Sequence, residues 1–362
     1  IRQYETIREK FIGLYRNENN PLGVETGKLS CQGTDFGNAV GAVQLEMELN
    51  PGEEKEFVIS LGVIEKKNFN NLKTDTVKKY QNVETAAKAL TEVKKYWNSW
   101  FENLQVKTPD RDGNIFMNYW NPYQAKVAFD VGRVASFYYW GIGRGFGFRD
   151  TSQDVLAVLL NDPEKAKERI CLLSRQIFRS GKVYHHFFSD GQGETTGHCD
   201  DPLWYILAVN EYIKETGDFS ILEHKEPFVD APEGTVLEHM MAIVDFVNNN
   251  MGKHGLPIFG RGDWNDTLDY IGGEDGGESV WGGMFYLSML NYFSELLEEI
   301  KKTDLKEKVD EVRNRLNESL HPGCWDGDWY IRAYGAKDRK IGSKENDAGK
   351  IFLNTQSWAV IA

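Results

Sequence analysis

Cysteine is scarce in this chain, with 4 cysteines among 362 residues. They lie far apart and form no Cys-x-x-Cys pair: Cys31, Cys171, Cys199 and Cys324. This spacing disfavours both a zinc site and a disulfide framework. It indicates a reducing environment, and the first residues do not have the pattern of a signal peptide. We therefore expect a cytoplasmic protein.

Positive charge and long apolar runs are also in short supply. Lys and Arg number 42 against 55 Asp and Glu, and the net charge of -13 argues against a nucleic-acid partner, because phosphates require a basic surface. No apolar stretch approaches the roughly 20 residues of a membrane-spanning helix. Aromatic residues are plentiful at 13%, but they suit a carbohydrate cleft and an ordinary core equally. The function has to be sought in motifs.

The first part of the chain carries β-type patterns. Residues 42–49 (AVQLEMEL) alternate with period two, a Pro51-Gly52 turn follows, and residues 57–61 (FVISL) form a second run. These patterns predict two strands that close a β-sandwich over residues 1–65. A lysine-rich helical pattern then predicts a helical linker over residues 66–108.

Helical periodicity dominates residues 109–362. The predicted helices are 114–139, 151–161, 163–180, 201–217, 235–251, 279–302 and 304–319. Pairs of helices with long loops on one side predict a toroid around a central cleft, with a short hairpin at residues 325–330 because Asp-Gly favours a tight turn. The last pattern reaches Ala362 without a stop signal, so we expect a piece of a longer enzyme that is inactive alone.

The most informative stretch is residues 261–266 (RGDWND), where two carboxylates flank an indole and an amide. Glycine and proline nearby predict a loop, where chemistry usually lies. A carboxylic acid beside an aromatic platform suits glycosidic bond cleavage, because the acid protonates the leaving oxygen while the indole stacks on a sugar ring. An acidic, solvated turn with Trp264 in the core is the alternative.

A second cluster, residues 141–150 (GIGRGFGFRD), alternates glycine with aromatic residues and arginine. Glycines allow the backbone to approach a ligand closely, and arginine forks grip anions. The Gly-x-Gly pieces are a weak match to a dinucleotide fingerprint, because no strand pattern precedes them and no ribose-binding acid follows. A P-loop is excluded, since no Gly-Lys-Ser/Thr follows.

Five motifs together resemble the inverting disaccharide phosphorylases of the cellobiose and chitobiose phosphorylase family. They are residues 118–124 (NYWNPYQ), 143–150 (GRGFGFRD), 200–204 (DDPLW), 263–266 (DWND) and 353–358 (LNTQSW). The resemblance implies a mainly α fold, with part of an (α/α)6 barrel over residues 109–362 behind the β-sandwich and the linker. It also implies reversible, inverting cleavage of a cellobiose-like β-glucoside by inorganic phosphate, which gives α-glucose 1-phosphate.

The resemblance also implies roles for single residues. Asp266 is implied as the general acid and Arg144 as a phosphate ligand, whereas the family's other phosphate ligands are expected beyond residue 362. Four residues are implied as sugar contacts: Arg133, Arg149, Asp150 and Trp264. Phosphate is the co-substrate, no cofactor or metal is implied, and the family resemblance suggests a homodimer.

Elementary chemistry agrees with this assignment. An inverting hydrolase needs a second carboxylate to activate water, whereas phosphate is already an anion and attacks unaided. Asp266 must be protonated at the working pH, and burial against Trp264 is expected to favour that form. Two alternatives stay open: an inverting β-glucoside hydrolase with Asp150 or Asp201 as its base, and a non-catalytic carbohydrate-binding protein. The sequence does not fix the acceptor sugar or the linkage.

Other polar groups give weaker signals. His185, His186 and His198 lack the spacing of a closed metal-ligand set. Asp200 and Asp201 precede a predicted helix, so capping of its first turn is favoured over direct contact with substrate. Three acids in a glycine-rich loop, Glu274, Asp275 and Glu278, are expected to be solvated, although their loop could shape the acceptor subsite.

Overall fold

The computed structural model of the protein describes residues 2–33, 37–62, 79–133, 145–188, 190–268, 271 and 276–362. The chain forms two compact units, Ile1–Tyr96 and Trp97–Ala362. The domain boundaries predicted at residues 65 and 108 stay predictions. Each unit is described by itself below.

The first unit contains a two-stranded antiparallel sheet. Strand β1 (Gln3–Ile7) pairs with β2 (Ala39–Gln44), and Tyr4 lies opposite Val43. Two short helices follow β1, namely α1 (Arg8–Ile12) and α2 (Leu22–Thr26). Glu5 is the buried polar residue of this sheet, and its carboxylate accepts backbone N–H groups within β1 and from Ser30. The sheet is thus tied to the loop between its strands.

The two strands predicted at residues 42–49 and 57–61 are largely wrong. The strand ends at Gln44, and no residue from 45 to 62 is in a strand. Alternation gives β propensity, but a strand also needs a neighbour whose backbone completes its hydrogen bonds. The pairing stops where Gln44 meets Gln3, and the apolar side chains beyond it, such as Leu49 and Ile59, are exposed.

Helices dominate the second unit, as the sequence predicts. The helices from residue 83 onward are α3 (Val83–Glu102), α4 (Arg111–Ile115), α5 (Asn121–Val127), α6 (Phe148–Val158), α7 (Pro163–Ser174), α8 (Leu203–Thr216), α9 (Val236–Asn249), α10 (Val280–Glu299), α11 (Thr303–Leu320) and α12 (Leu353–Ile361). The π-helical segments Phe116–Trp120 and Ala128–Gly132 make residues 111–132 one continuous helical stretch. The predicted helix 114–139 is therefore confirmed to residue 132, and residues 134–139 lie outside the described residues.

Local signals explain where these helices begin. Asp162 caps α7 by accepting from the backbone N–H of Lys165, and Pro163 is its first residue. Helix α9 begins with a capping box formed by Thr235 and Glu238. Helix α7 ends at Ser174 rather than at the predicted residue 180, because the chain turns back and forms an antiparallel bridge to Val183.

Helix α10 lies at the centre of the hydrophobic core. Its aromatic residues Trp281 and Phe285 are buried, and the Phe285 ring lies 4.5 Å from Trp204 of α8 and 4.9 Å from Trp358 of α12. A helix that is apolar on nearly every side is stable only when neighbours surround it. Helix α11 follows after residues 300–302 and packs along α10, which matches the predicted pairing of successive helices.

Small sheets hold the loops between the helices. One contains β3 (Phe146–Gly147), β4 (His186–Phe187) and β5 (Gly193–Glu194), and β6 (Lys225–Pro227) pairs with β7 (Glu233–Thr235). Another contains β8 (Glu278–Ser279), β9 (Ala333–Tyr334) and β10 (Lys340–Ile341), in the order β10-β9-β8. The predicted hairpin at 325–330 is confirmed by a bridge between Trp325 and Tyr330, with Gly327 at φ 97°. Within the described part of the chain, no helix combines the length and apolar character needed to cross a bilayer.

Candidate active site

Arg149 connects three motifs that are far apart in the sequence. It is the second residue of α6, and its Nη2 donates to Asp266 Oδ1 at 2.9 Å. Its Nη1 lies 3.3 Å from Asp200 Oδ2 and 3.2 Å from the carbonyl oxygen of Asp263. The predicted acid, the predicted sugar contact and the Asp200–Asp201 pair therefore lie in one place.

The environment of Arg149 keeps it positively charged. Burial acts to lower the pKa of its guanidinium, but the charge of Asp200 and the hydrogen bond to Asp266 raise that pKa above its ordinary value. Arg149 thus offers a permanent cation beside the candidate acid.

Asp266 and Trp264 both face outward. Asp266 is 65% exposed and Trp264 is 50% exposed, so the expected burial of Asp266 against Trp264 is wrong. The reason lies in Asp263, whose side chain points inward and is fully buried. Asn265 N donates to Asp263 Oδ1 at 3.0 Å, which fixes the loop with its neighbours turned to the surface. The acid and the indole are therefore both exposed on the same loop.

Arg133 and Asp150 form a second polar group, and Asp150 directly follows Arg149 in the chain. Arg133 donates from Nε and Nη2 to Asp154 at 2.7 and 2.8 Å, and its Nη1 lies 3.5 Å from Asp150 Oδ2. The hydrogen bonds that Arg133 donates to Asp154 raise the pKa of Arg133. Sequence reasoning missed Asp154, although its position four residues after Asp150 places both carboxylates on one face of α6. Arg144, the predicted phosphate ligand, lies outside the described residues.

Two stacked histidines, His185 and His198, lie beside Asp266. The rings of His185 and His198 stack at 4.2 Å with 12° between their planes, and His198 Nε2 lies 3.7 Å from Asp266 Oδ1. Burial lowers the pKa of His198. Burial also acts to lower the pKa of His185, but its bond to Asp201 Oδ2 at 2.8 Å raises that pKa overall. His198, next to Asp266, is therefore the less basic of the two imidazoles, and His185 is the more basic one.

The prediction that Asp200 or Asp201 caps the following helix is wrong. Helix α8 begins after Pro202 without a side-chain cap. Asp200 instead accepts from Trp204 Nε1 at 2.9 Å and faces Arg149, while Asp201 is bonded to His185. The buried cation and imidazole compete successfully for carboxylates that would otherwise reach free N–H groups. Both acids belong to the floor of the site.

Asp200 makes the stability of the protein depend on pH. Burial, followed by the charge of Asp201, raises the pKa of Asp200 to about 7. The folded state therefore holds a proton that the unfolded state releases near pH 4, and stability is lost as pH rises from about 4 to 7.

We expect Asp200→Asn to remove this loss of stability with rising pH, because an amide does not ionise. Urea unfolding at pH 5 and pH 7.5 measures it: the fall in stability between the two pH values should be smaller in the variant than in the wild type. Asp218→Asn is the control: Lys167 and Ser220 lower the pKa of Asp218, so this carboxylate stays ionised in both states between pH 5 and 7.5 and its removal should leave the pH dependence as in the wild type. An unchanged pH dependence in Asp200→Asn would contradict the assignment.

His185, His198 and Asp201 also place potential metal ligands within 4.8 Å of one another. The two imidazoles are nearly parallel, so an ion bound to a nitrogen of each would lie far from both ring planes, where the lone pairs do not point. The second such group is Cys171, His224 and Glu226, but Arg175 holds both carboxylate oxygens of Glu226 at 2.6 and 3.0 Å. The absence of a metal requirement stays a prediction.

Comparison with known proteins gives matches along the whole chain. Residues 96–362 match the catalytic domain of the glycosyl hydrolase 94 superfamily, and residues 1–88 match the glycosyl hydrolase 94 supersandwich domain. Solabiose phosphorylase of Paenibacillus borealis is 32% identical over 99% of this chain and 45% of its own length. N,N'-diacetylchitobiose phosphorylase of Vibrio furnissii is 30% identical over 99% of this chain and 47% of its own length. The chain therefore spans about half the length of these relatives.

Not every similar protein has phosphorylase in its name. The cyclic beta-(1,2)-glucan synthase of Rhizobium meliloti is 30% identical over 100% of this chain, which covers 13% of that protein.

Proposed function

Because the chain belongs to the glycosyl hydrolase 94 superfamily, we propose that its natural-length protein is a glycosyltransferase of the hexosyl phosphorylase type. It cleaves a cellobiose-like, β-linked glucose disaccharide with inorganic phosphate and inversion. The products are α-glucose 1-phosphate and a free sugar. Two similar proteins with phosphorylase names support this reaction class, and their different disaccharides leave the acceptor to experiment.

The observation that carries the proposal is an exposed acid beside an exposed indole and a largely buried arginine. Asp266 has the accessibility that a proton donor to a glycosidic oxygen needs, and Trp264 beside it offers a face for a sugar ring. Polar contacts for sugar hydroxyls are provided by Arg149, which bonds to Asp266, and by Arg133 and Asp150, which lie 3.5 Å apart. These roles stay predictions.

The candidate bases of a hydrolase are engaged elsewhere. Asp201 is buried and bonded to His185, and Asp150 lies 3.5 Å from Arg133. A base that activates water needs a free carboxylate on the opposite side of the sugar. Phosphate needs no such base, which favours phosphorolysis.

The architecture and the setting are proposed with the reaction. Successive paired helices such as α6–α7 and α10–α11 support part of an (α/α)6 barrel. The low cysteine count supports a cytoplasmic location. A homodimer rests on the family resemblance alone.

The test is to incubate the natural-length protein with cellobiose and related β-glucobioses, with and without phosphate. Glucose 1-phosphate that forms only with phosphate supports the proposal, as does phosphate release from glucose 1-phosphate with a panel of acceptors. Free glucose without phosphate would instead identify a hydrolase. Disaccharide binding that is unchanged in Asp266→Ala, without turnover in the wild type, would identify a binding protein.

The role of Arg144 as a phosphate ligand, which the sequence resemblance implies, can be tested by substitution. We expect Arg144→Ala to raise the KM for phosphate about ten- to a hundredfold, because a charge-assisted contact to an anion is lost. The KM for the disaccharide should change less. Steady-state kinetics with each substrate varied separately makes the distinction, and a rise confined to the disaccharide would move Arg144 into a sugar subsite.

A further inference from the structure

A buried ionic cluster lies directly beneath the loop that carries Asp266. We call Asp263, Ser279 and Arg332 the Asp263 brace; all three residues are 0% exposed. Arg332 Nη2 lies 2.6 Å from Asp263 Oδ2 and 2.7 Å from Oδ1. Ser279 Oγ donates to Oδ2 at 2.7 Å. Both oxygens of the carboxylate are thus held from below.

The brace is built on rigid elements. Arg332 immediately precedes β9, and its backbone N–H donates to the carbonyl oxygen of Ile341 at 2.7 Å. Ser279 ends β8 and caps α10, because its Oγ accepts from Gly282 N at 2.8 Å. A loop anchored to a helix and a sheet is held more precisely than one anchored to another loop.

Asp263 also makes hydrogen bonds within the loop that carries Asp266. Asp263 Oδ1 accepts from Asn265 N at 3.0 Å, and the carbonyl oxygen of Asp263 accepts from Arg149. The same residue therefore connects the buried cluster to the backbone between Trp264 and Asp266. Its geometry decides where those two exposed side chains point.

Stability alone does not account for this arrangement. Apolar residues of similar volume often stabilise a core as well as a buried ion pair does, because they avoid desolvation of two charges. In addition, no acceptor among the described residues lies within hydrogen-bond distance of the buried Arg332 Nε, which is a cost of the arrangement.

We propose that Arg332 and Ser279 are positioning residues that act through Asp263 to hold Trp264 and Asp266 in the geometry for catalysis. This inference rests on the proposed phosphorolysis for its catalytic part. Its structural part, the ordering of residues 262–268, does not depend on any activity.

The main test is the double variant Asp263→Leu/Arg332→Met, which replaces the ion pair by apolar side chains. We expect its unfolding midpoint to be close to that of the wild type. Amide hydrogen exchange in residues 262–268 should be about tenfold faster, because the acceptor for Asn265 N is lost. The kcat for phosphorolysis should fall about a hundredfold through misplacement of Asp266. If the double variant has wild-type stability and also shows wild-type exchange in residues 262–268 and wild-type kcat, the proposal is overturned.

A matched control removes an ion pair elsewhere in the same unit. Arg175→Met/Glu226→Leu replaces a bidentate pair that is not hydrogen-bonded to any residue of the Asp263 brace in the described part of the chain, so exchange in residues 262–268 and kcat should stay at the wild-type level. A loss of kcat and faster exchange in this control, equal to those in the brace variant, would mean that any core replacement loosens the loop, and would contradict the proposal.

Arg332→Lys is a second variant, which tests the proposal if the double variant does not fold. Lysine retains the charge but lacks the planar fork. We expect kcat about tenfold below the wild type and faster exchange in residues 262–268. Wild-type exchange and kcat in Arg332→Lys would overturn the proposal. If the wild-type protein shows no phosphorolysis, the proposed function fails, and the exchange measurements alone decide the role of the brace.

Discussion

Replacing Asp266 by Asn is expected to lower the kcat of phosphorolysis about 10²–10⁴-fold, the usual contribution of a general acid. Asparagine keeps the size of the side chain but cannot give a proton to the leaving oxygen. Since Asp266 is 65% exposed, the substitution should leave the unfolding midpoint nearly unchanged. Steady-state kinetics in the natural-length protein, combined with thermal unfolding, measures both effects.

Asp263→Asn is the matched control on the same loop. Its oxygen can still accept from Asn265 N and Arg332, so we expect a smaller loss of kcat than in Asp266→Asn. Its cost should fall on stability instead, because the buried Arg332 loses its counter-charge. A larger loss of kcat in Asp263→Asn than in Asp266→Asn would show that the two acids have been assigned the wrong way round.

The helical part of the fold was largely predictable from the sequence. Apolar residues at helical spacing, together with start signals such as Thr235 and Asp162, predicted helices that the structure confirms to within a few residues. Five ordered motifs predicted the family, which the domain matches confirm. These signals are local, so they are visible in a single sequence.

The strand predictions show the limit of local patterns. Residues 57–61 have the composition of a strand, but pairing depends on a neighbour elsewhere in the chain, and the described residues provide none. The Asp200–Asp201 prediction was wrong for the same reason. A capping preference is local, whereas Arg149 and His185 reach these acids through the fold.

The sequence pointed to the exposed residues of the candidate site, but not to the buried residues that hold them in place. Asp266, Trp264 and Arg149 stand in recognisable motifs, but the exposure of Asp266 depends on how Asp263 turns the loop. Arg332 is separated from Asp263 by 69 residues. The only signal for it was a charged residue within the otherwise apolar and aromatic run of residues 329–334. Such a signal indicates a buried partner but does not identify it.

The largest expected effect on stability comes from Arg332→Met. Asp263 would stay fully buried without a cation, and removal of one partner from a buried ion pair typically costs about 3–5 kcal/mol. Arg315→Met is the control, because its pair with Glu311 is solvent-exposed and should contribute less than about 1 kcal/mol. Urea unfolding of the three proteins at pH 7 gives the free energies of unfolding.

The same substitution also separates two explanations of the brace. If Arg332 only fills space, methionine replaces most of its volume and the loss of stability should be below about 1 kcal/mol. If its charge compensates Asp263, the loss should be large, because a buried carboxylate would be left without its cation. A small loss would contradict the electrostatic role, because the buried carboxylate would then not need Arg332.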